Sequence, residues 1–152
     1  LCVPAIDEVD QAFRMSTGVQ GGAMPDLLQA FENAQGRCRL TLRAQASQSW
    51  SLQLMNACGD VWRLSYQPQE RQFSVDRTMS GESTFHPDFA ACHRAPRIGQ
   101  SSEIDVQIYL DASSLETIAD GGLTSISSLV FPSRPWTTWV TQGEVLVSLQ
   151  TL

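Results

Sequence analysis

The chain has 152 residues, the length of one domain, with 42% hydrophobic and 17% charged residues, which excludes a disordered tail and supplies one sizeable core. Its formal net charge is -6, from 16 acidic against 10 basic residues, and every basic residue is Arg. A Lys-free acidic domain lacks the basic footprint that nucleic acid or an anionic membrane surface requires, so neither is expected as a partner.

No apolar stretch approaches the ~20 residues of a membrane-crossing helix. The first residues, LCVPAIDEVD, are acidic and contain Pro4, unlike a signal peptide. Without an initiator Met, the start at Leu1 reads as that of a mature product or an excised domain.

Residues 1–30 contain Gly18, Gly21, Gly22 and Pro25 with no clean period. They read as a linker or lead-in with one or two edge strands and room for a helical turn within 26–33. From Arg37 the period becomes two. Cys38, Leu40, Leu42 and Ala44 point one way, and Arg37, Arg39, Thr41 and Arg43 the other, which marks a half-buried strand. Trp50, Leu52 and Leu54 repeat the pattern, and a turn follows around Gly59. Trp62, Leu64 and Tyr66 alternate next, Pro68 supplies another turn, and Phe73 and Val75 face inward. Residues 78–103 are a long polar excursion whose Pro87 and Pro96 resist strand pairing, and a loop of that length is often functional.

The strongest strand sets Ile104, Val106, Ile108 and Leu110 against Glu103, Asp105, Gln107 and Tyr109. Residues 114–132 predict two strands turning at Asp120-Gly121-Gly122. The last strand alternates Val145, Val147 and Leu149. Many short strands, regular turns and almost no helical period predict an all-β fold. The architecture expected is a two-sheet antiparallel β-sandwich, jelly-roll-like, with residues 31–152 as the sandwich and 1–30 as the lead-in.

Catalytic signatures are sparse. There is no GxSxG elbow, and His86 and His93 share one loop, where histidines cap turns or face solvent. His86, Asp88 and His93 stand close in sequence, but Pro87 breaks a helical ligand geometry, so no metal is expected, nor any cofactor. Cys2, Cys38, Cys58 and Cys92 form no CxxC pair and read as free thiols, with a Cys58–Cys92 or Cys38–Cys58 bridge left open. Asp76, Glu82, Asp111 and Glu116 are carboxylates of the type a glycosidase pairs, yet nothing nearby supplies a deep site for a raised-pKa acid. Asp76 and Arg77 also fit a structural ion pair or a loop cap.

Binding fits the composition better than catalysis. Carboxylates and Arg bond vicinal hydroxyls while an aromatic ring covers the apolar face of a sugar. The candidates are Asp76, Arg77, Glu82, Phe85, Asp111 and Glu116, with Trp136 or Trp139 as a further ring. Trp50 and Trp62 sit on apolar strand faces and are assigned to the core.

Two long segments carry a resemblance. Asp76-Arg77-Thr78-Met79-Ser80-Gly81 is similar to an Asp-Arg-Ser/Thr-x-Ser-Gly run, and Phe85-His86-Pro87-Asp88-Phe89 to the Phe-His/Asn-Pro-x-Phe run that follows it. Leu110, Asp111, Ser113, Ser114, Leu115, Glu116, Asp120, Gly121, Phe131 and Pro132 match a second stretch and its closing Phe-Pro. A weaker likeness, VPAIDEVDQAF, resembles the linker before it. In this order they resemble the C-terminal β-sandwich domain of glycoside hydrolase family 32, the levanases, inulinases and invertases. Thr117, Ile118 and the Ala119-Asp120-Gly121-Gly122 turn depart from the family pattern within one hairpin.

The resemblance implies a non-catalytic domain that braces a catalytic β-propeller of the same parent protein. The Asn-Asp-Pro-Asn-Gly, Arg-Asp-Pro and Glu-Cys motifs of that propeller do not occur in this chain. Related sandwiches, carbohydrate-binding module family 66, hold terminal fructose with acidic and Arg side chains. A fructan-binding module for levan or inulin is therefore the alternative, with a fructose-containing glycan as partner. A homo-oligomer interface is compatible with either reading, an independent small enzyme is not expected, and the compartment follows from the parent protein.

Overall fold

The computed structural model describes residues 18–19 and 24–151. In chain order it contains β1 (Gly18–Val19), α1 (Met24–Asn33), β2 (Cys38–Gln45), β3 (Trp50–Met55), β4 (Val61–Gln67), β5 (Gln72–Met79), β6 (Cys92–Pro96), β7 (Glu103–Leu110), β8 (Ser114–Ala119), β9 (Thr124–Leu129), β10 (Thr138–Gln142) and β11 (Val145–Thr151). A 3₁₀ turn, Asp120–Gly122, joins β8 to β9. The strands form a six-stranded sheet, β1-β11-β2-β7-β8-β9, and a five-stranded sheet, β10-β3-β4-β5-β6. The two-sheet antiparallel sandwich expected from the period-two pattern is the fold.

The inward rows meet in register. Cys38, Leu40, Leu42 and Ala44 of β2 lie opposite Leu110, Ile108, Val106 and Ile104 of β7, and all eight are buried. From the other sheet, Trp50, Tyr66 and Phe73 interlock, with Tyr66 and Phe73 centroids 5.1 Å apart. Burying each such side chain contributes roughly 1.5–3 kcal/mol, so these rows dominate stability.

Three elements differ from the sequence reading. The 26–33 turn is a ten-residue helix, α1. Pro25 fits its first turn, where an N–H needs no intrahelical partner. Leu27 and Phe31, four apart, face the core, and Phe31 meets Trp139 edge-on at 5.0 Å. The polar excursion is interrupted by β6, whose Pro96 is tolerated because β6 is an edge strand. β10 was hidden between Pro135 and Gly143, and Trp139 on it is buried, as is Trp136 just before it.

The sandwich has two loop-bearing ends. At one, the 96–102 segment meets the β8–β9 turn around a buried ion pair. The Arg97 Nε donates to Asp120 Oδ2 at 2.7 Å and an Arg97 terminal nitrogen to Asp120 Oδ1 at 3.2 Å, with side chains 1% and 9% exposed. Burial opposes the Arg97 charge, but hydrogen bonds and charge from Asp120, with help from Tyr66, hold its pKa above the ordinary value. Gly99 is a packing requirement here, because a Cβ would lie 2.1 Å from Asp120 Oδ2. The pair ties the chain leaving β6 of one sheet to the β8–β9 turn of the other. Its acid is one of the motif residues that the sequence placed only in a hairpin turn.

Neither disulfide that the sequence left open is present. Cys38 is a buried free thiol, Cys58 and Cys92 are exposed free thiols, and Cys2 lies outside the described residues.

Candidate functional site

The opposite end gathers the loop between β5 and β6, the β7–β8 turn at 111–113, the 131–137 connection, the β3–β4 turn and the 34–37 turn after α1. Two neighbouring features form there.

The first is a clasp between β5 and the end of β9. Gly81 bridges Phe131, and the Glu82 N–H donates to the Phe131 carbonyl at 2.9 Å. Gly81 has φ +108°, and a Cβ on it would lie 2.0 Å from the Phe131 oxygen, so only glycine permits this approach. Arg77 donates to the Leu129 carbonyl at 3.2 Å and lays its guanidinium over the Phe89 ring, 4.2 Å from the centroid. The Phe89 N–H donates to the His86 carbonyl at 3.1 Å, closing a turn with Pro87 at its second position. That turn folds Phe85 onto Phe89, centroids 4.6 Å apart, and both rings lie 5.5 Å from Phe131. Phe85 remains 58% exposed and Phe131 39%, and Met79 and Leu129 are exposed on the strands that feed the clasp. Glu82 accepts from the Thr84 hydroxyl and from its N–H at 2.7 Å, and these bonds hold its carboxyl below the usual range.

The second feature is a recess of about 190 Å³ lined by Gln35 and Gly36, Asp111 and Ala112, and the 132–136 segment. Its wall is braced from behind. Asp60 Oδ2 accepts from the Ser133 N–H at 2.7 Å, the Ser133 hydroxyl at 2.6 Å and the Asn56 amide at 2.8 Å, and the same amide reaches the Arg134 carbonyl at 2.8 Å. Partial burial of Asp60 works to raise its pKa, but these hydrogen bonds outweigh it and hold the carboxyl low. At the rim, Arg37 Nε stands 3.5 Å from Asp111 Oδ1. Two of the larger depressions, about 520 and about 770 Å³, lie toward the other end and share Arg43 and Glu103. Neither has an aromatic wall, and Arg43 is already paired with Asp105 at 3.4 Å.

A protein-family profile described as Glycosyl hydrolases family 32 C terminal matches residues 9–150. The chain belongs to this family.

Individual relatives agree with that assignment. A levanase of Bacillus sp. (strain L7) is 29% identical over 109 residues, covering 69% of this chain and 12% of the levanase. The extracellular exo-inulinase inuE of Aspergillus niger is 35% identical over 70 residues, 45% of this chain and 13% of the inulinase. Among solved structures, sucrose-6-phosphate hydrolase from Lactobacillus gasseri superposes on 99% of this chain and 30% of its own, with TM-score 0.74 and 16% identity. Exo-inulinase from Aspergillus awamori superposes on 77% of this chain and 25% of its own, with TM-score 0.68 and 22% identity. The structures share the fold, and the chain spans only a small part of each relative.

For a family 32 C-terminal domain, the clasp explains why two motifs far apart in sequence occur together. The Asp-Arg-Thr-Met-Ser-Gly run supplies Gly81, which meets the Phe131 carbonyl of the Phe-Pro that ends the second motif, and Arg77, which reaches the Leu129 carbonyl two residues before it. Asp76 folds back on Thr78, accepting from its N–H at 2.9 Å and its hydroxyl at 2.7 Å, so it caps the strand end.

The six candidate residues do not converge. Arg77, Glu82 and Phe85 meet in the clasp, and Asp111 stands at the recess. Asp76, opposite Arg63 and Cys92, faces out from the five-stranded sheet. Glu116, between buried Leu115 and Thr117, faces out from the six-stranded sheet and accepts from the Ser127 hydroxyl at 2.6 Å. With sheets stacked about 10 Å apart, Asp76 and Glu116 cannot share one small ligand. Trp136 and Trp139, the further rings, are core residues, 1% and 4% exposed. Phe89, Phe131, Asp60 and Asn56 were not singled out as interacting groups. Phe89 and Phe131 stand in the two motif runs, whereas Asp60 and Asn56 carry no signal in the sequence. His86 serves the turn, its Nδ1 accepting from the Asp88 N–H at 3.2 Å. Among the described residues no three His, Cys, Asp or Glu stand together as metal ligands would.

Proposed function

We propose that this domain is the non-catalytic C-terminal β-sandwich of a fructan- or sucrose-hydrolysing glycosidase and braces the catalytic β-propeller of the same polypeptide. The family match over residues 9–150 carries this reading, joined to relatives named levanase, exo-inulinase and sucrose-6-phosphate hydrolase of which the domain is a minor part. Glu82 and Asp60 have depressed pKa values, the reverse of what a glycosidase general acid needs. Exposed Phe85 and Phe131 form an apolar surface of the kind that marks an interaction site, and we assign it to the propeller.

The test uses the parent polypeptide. Phe85→Ser with Phe131→Ser should keep fructose release at 25 °C yet lower the temperature of half-inactivation, and deletion of residues 1–152 should lower it further. A deleted parent with unchanged activity and thermal midpoint would remove the bracing role. Fructose release by this chain alone would remove the non-catalytic one.

Fructan binding stays as a second reading on one observation: Asp111 stands beside Arg37 at the rim of a recess walled by Trp136.

A further inference from the structure

We infer that residues 1–17 of this chain dock as a strap across the outer face of the six-stranded sheet, over Arg39 and Tyr109. The inference goes beyond the bracing role and does not rest on it. The VPAIDEVDQAF linker falls in this segment, outside the described residues. The first observation is a change of exposure along the sheet. An outward row of an antiparallel sandwich normally faces water. At the end near Gly143 it does so on three adjacent strands: Leu146 of β11 is 76% exposed, and Arg43 of β2 and Glu103 of β7 are exposed. Toward the clasp end the outward positions of the same three strands are covered. Gln150 and Arg39 are half-buried, and Tyr109 is only 9% exposed. Register sets Gln150, Arg39 and Tyr109 in one row across the sheet. The next residue of that row, Glu116 of β8, is exposed again and accepts from Ser127. A cover that spans three strands and stops before the fourth has the width of one chain segment.

The path of the chain and its charge name the occupant. β1 is the outermost strand of this sheet, and Gly18 pairs with Gln150, so the residues before Gly18 begin at the head of the covered row. Three strand spacings of ~4.8 Å separate β1 from β7, a distance that four or five extended residues cover at ~3.3 Å each. Phe13, the one aromatic residue of 1–17, stands five positions before Gly18 and therefore reaches Tyr109. Asp7, Glu8 and Asp10 against Arg14 make the segment net negative, and the row it crosses carries the Arg39 guanidinium. That group donates to Gln150 and, at 3.5 Å, to the Tyr109 hydroxyl, and it lies 5.8 Å from the Tyr109 ring centroid. A strap carboxylate adds a charge-assisted bond to this arrangement, and Phe13 adds a ring against Tyr109.

Trypsin tests the strap at one bond, because every basic residue is Arg and Arg14 is the only one before Arg37. Cleavage after Arg14 in the native chain, followed by mass spectrometry, should be about tenfold or more slower than in a free peptide of residues 1–20, since a protease reports the population of the open form. Asp7→Asn with Glu8→Gln and Asp10→Asn leaves the sandwich residues unchanged and should remove most of that protection. Arg39→Gln should do the same, and Arg43→Gln at the exposed end of the face should not. Resistance of buried Cys38 to alkylation checks that each variant is folded, and if Arg39→Gln fails that check, Phe13→Ser takes its place. Cleavage of the native chain at the peptide's rate would overturn the strap. Protection that survives both the acid variant and Arg39→Gln would overturn its seat on this face. Protection that fades on dilution together with a dimer seen in sedimentation would overturn docking within one chain and assign the segment to a second copy.

Discussion

Asp120→Ala would strand Arg97. The guanidinium is 1% exposed and would keep only its bonds to the Glu103 carbonyl, at 3.0 Å, and Tyr66, losing the carboxylate that neutralises it. Removing one partner of a buried ion pair costs about 3–5 kcal/mol, because the remaining charge stays desolvated without compensation. For a domain of this size each kcal/mol lowers the melting temperature by about 2–4 °C, so a drop of roughly 6–20 °C is expected. The assay is thermal and urea unfolding followed by tryptophan fluorescence, with an unchanged urea slope as the sign that stability alone has moved. Replacing both partners, Arg97→Met with Asp120→Ala, should recover more than half of the loss, since no buried charge remains. Salt should change the native midpoint little, because buried pairs are poorly screened. A loss below about 1 kcal/mol for Asp120→Ala, the range of an exposed pair, would refute the reasoning. So would a double variant no more stable than Asp120→Ala.

Gly81→Ala should lower stability by more than about 1 kcal/mol, because the residue would have both a positive φ and a Cβ 2.0 Å from the Phe131 oxygen; urea midpoints measure it, and a neutral result would mean the clasp is not formed. Asp60 gives a pH dependence of definite sign. Its folded pKa lies below the unfolded value of about 3.9, so its stabilisation is complete above that value and is lost as pH falls through the folded pKa. Asp60→Asn should therefore flatten the acid limb of a melting-temperature profile, and an unchanged limb would count against the Asn56–Asp60–Ser133 brace. Burial pushes the Cys38 thiol up to about 12, so alkylation at pH 8 mapped by mass spectrometry should label exposed Cys58 and Cys92 and spare Cys38 until the chain is unfolded. Native-state labelling of Cys38 at the rate of Cys58 would contradict its place between the sheets.

Much of the fold was legible in the sequence because a strand's two faces are written in alternate residues. The β2 and β7 rows read correctly since each apolar residue there packs on its own sheet's neighbour and on the facing sheet. The elements that escaped lack that periodicity for identifiable reasons. α1 buries Leu27 and Phe31, with Leu28 and Ala30 partly buried against the core, and the apolar partner of Phe31, Trp139, is more than a hundred residues away. β6 is an edge strand with Cys92 and Arg94 facing solvent, so half of its pattern is polar.

The site was legible in parts only. The Phe85–Phe89 turn is local and follows from Pro87. Which carboxylates share a neighbourhood is a matter of sheet topology: Asp76 and Glu116 look alike as exposed acids on strands, and the sandwich sets them on opposite faces. By itself the sequence determined an acidic, all-β domain of one family, since period, turn residues and motifs are local properties of the chain. Tertiary structure alone decided that Gly81 must meet Phe131, that Asp120 neutralises a buried Arg97, and that Asp111 and Trp136 border one recess. Each of these joins residues at least twenty positions apart, and their distances are set by sheet register and packing rather than by local preference.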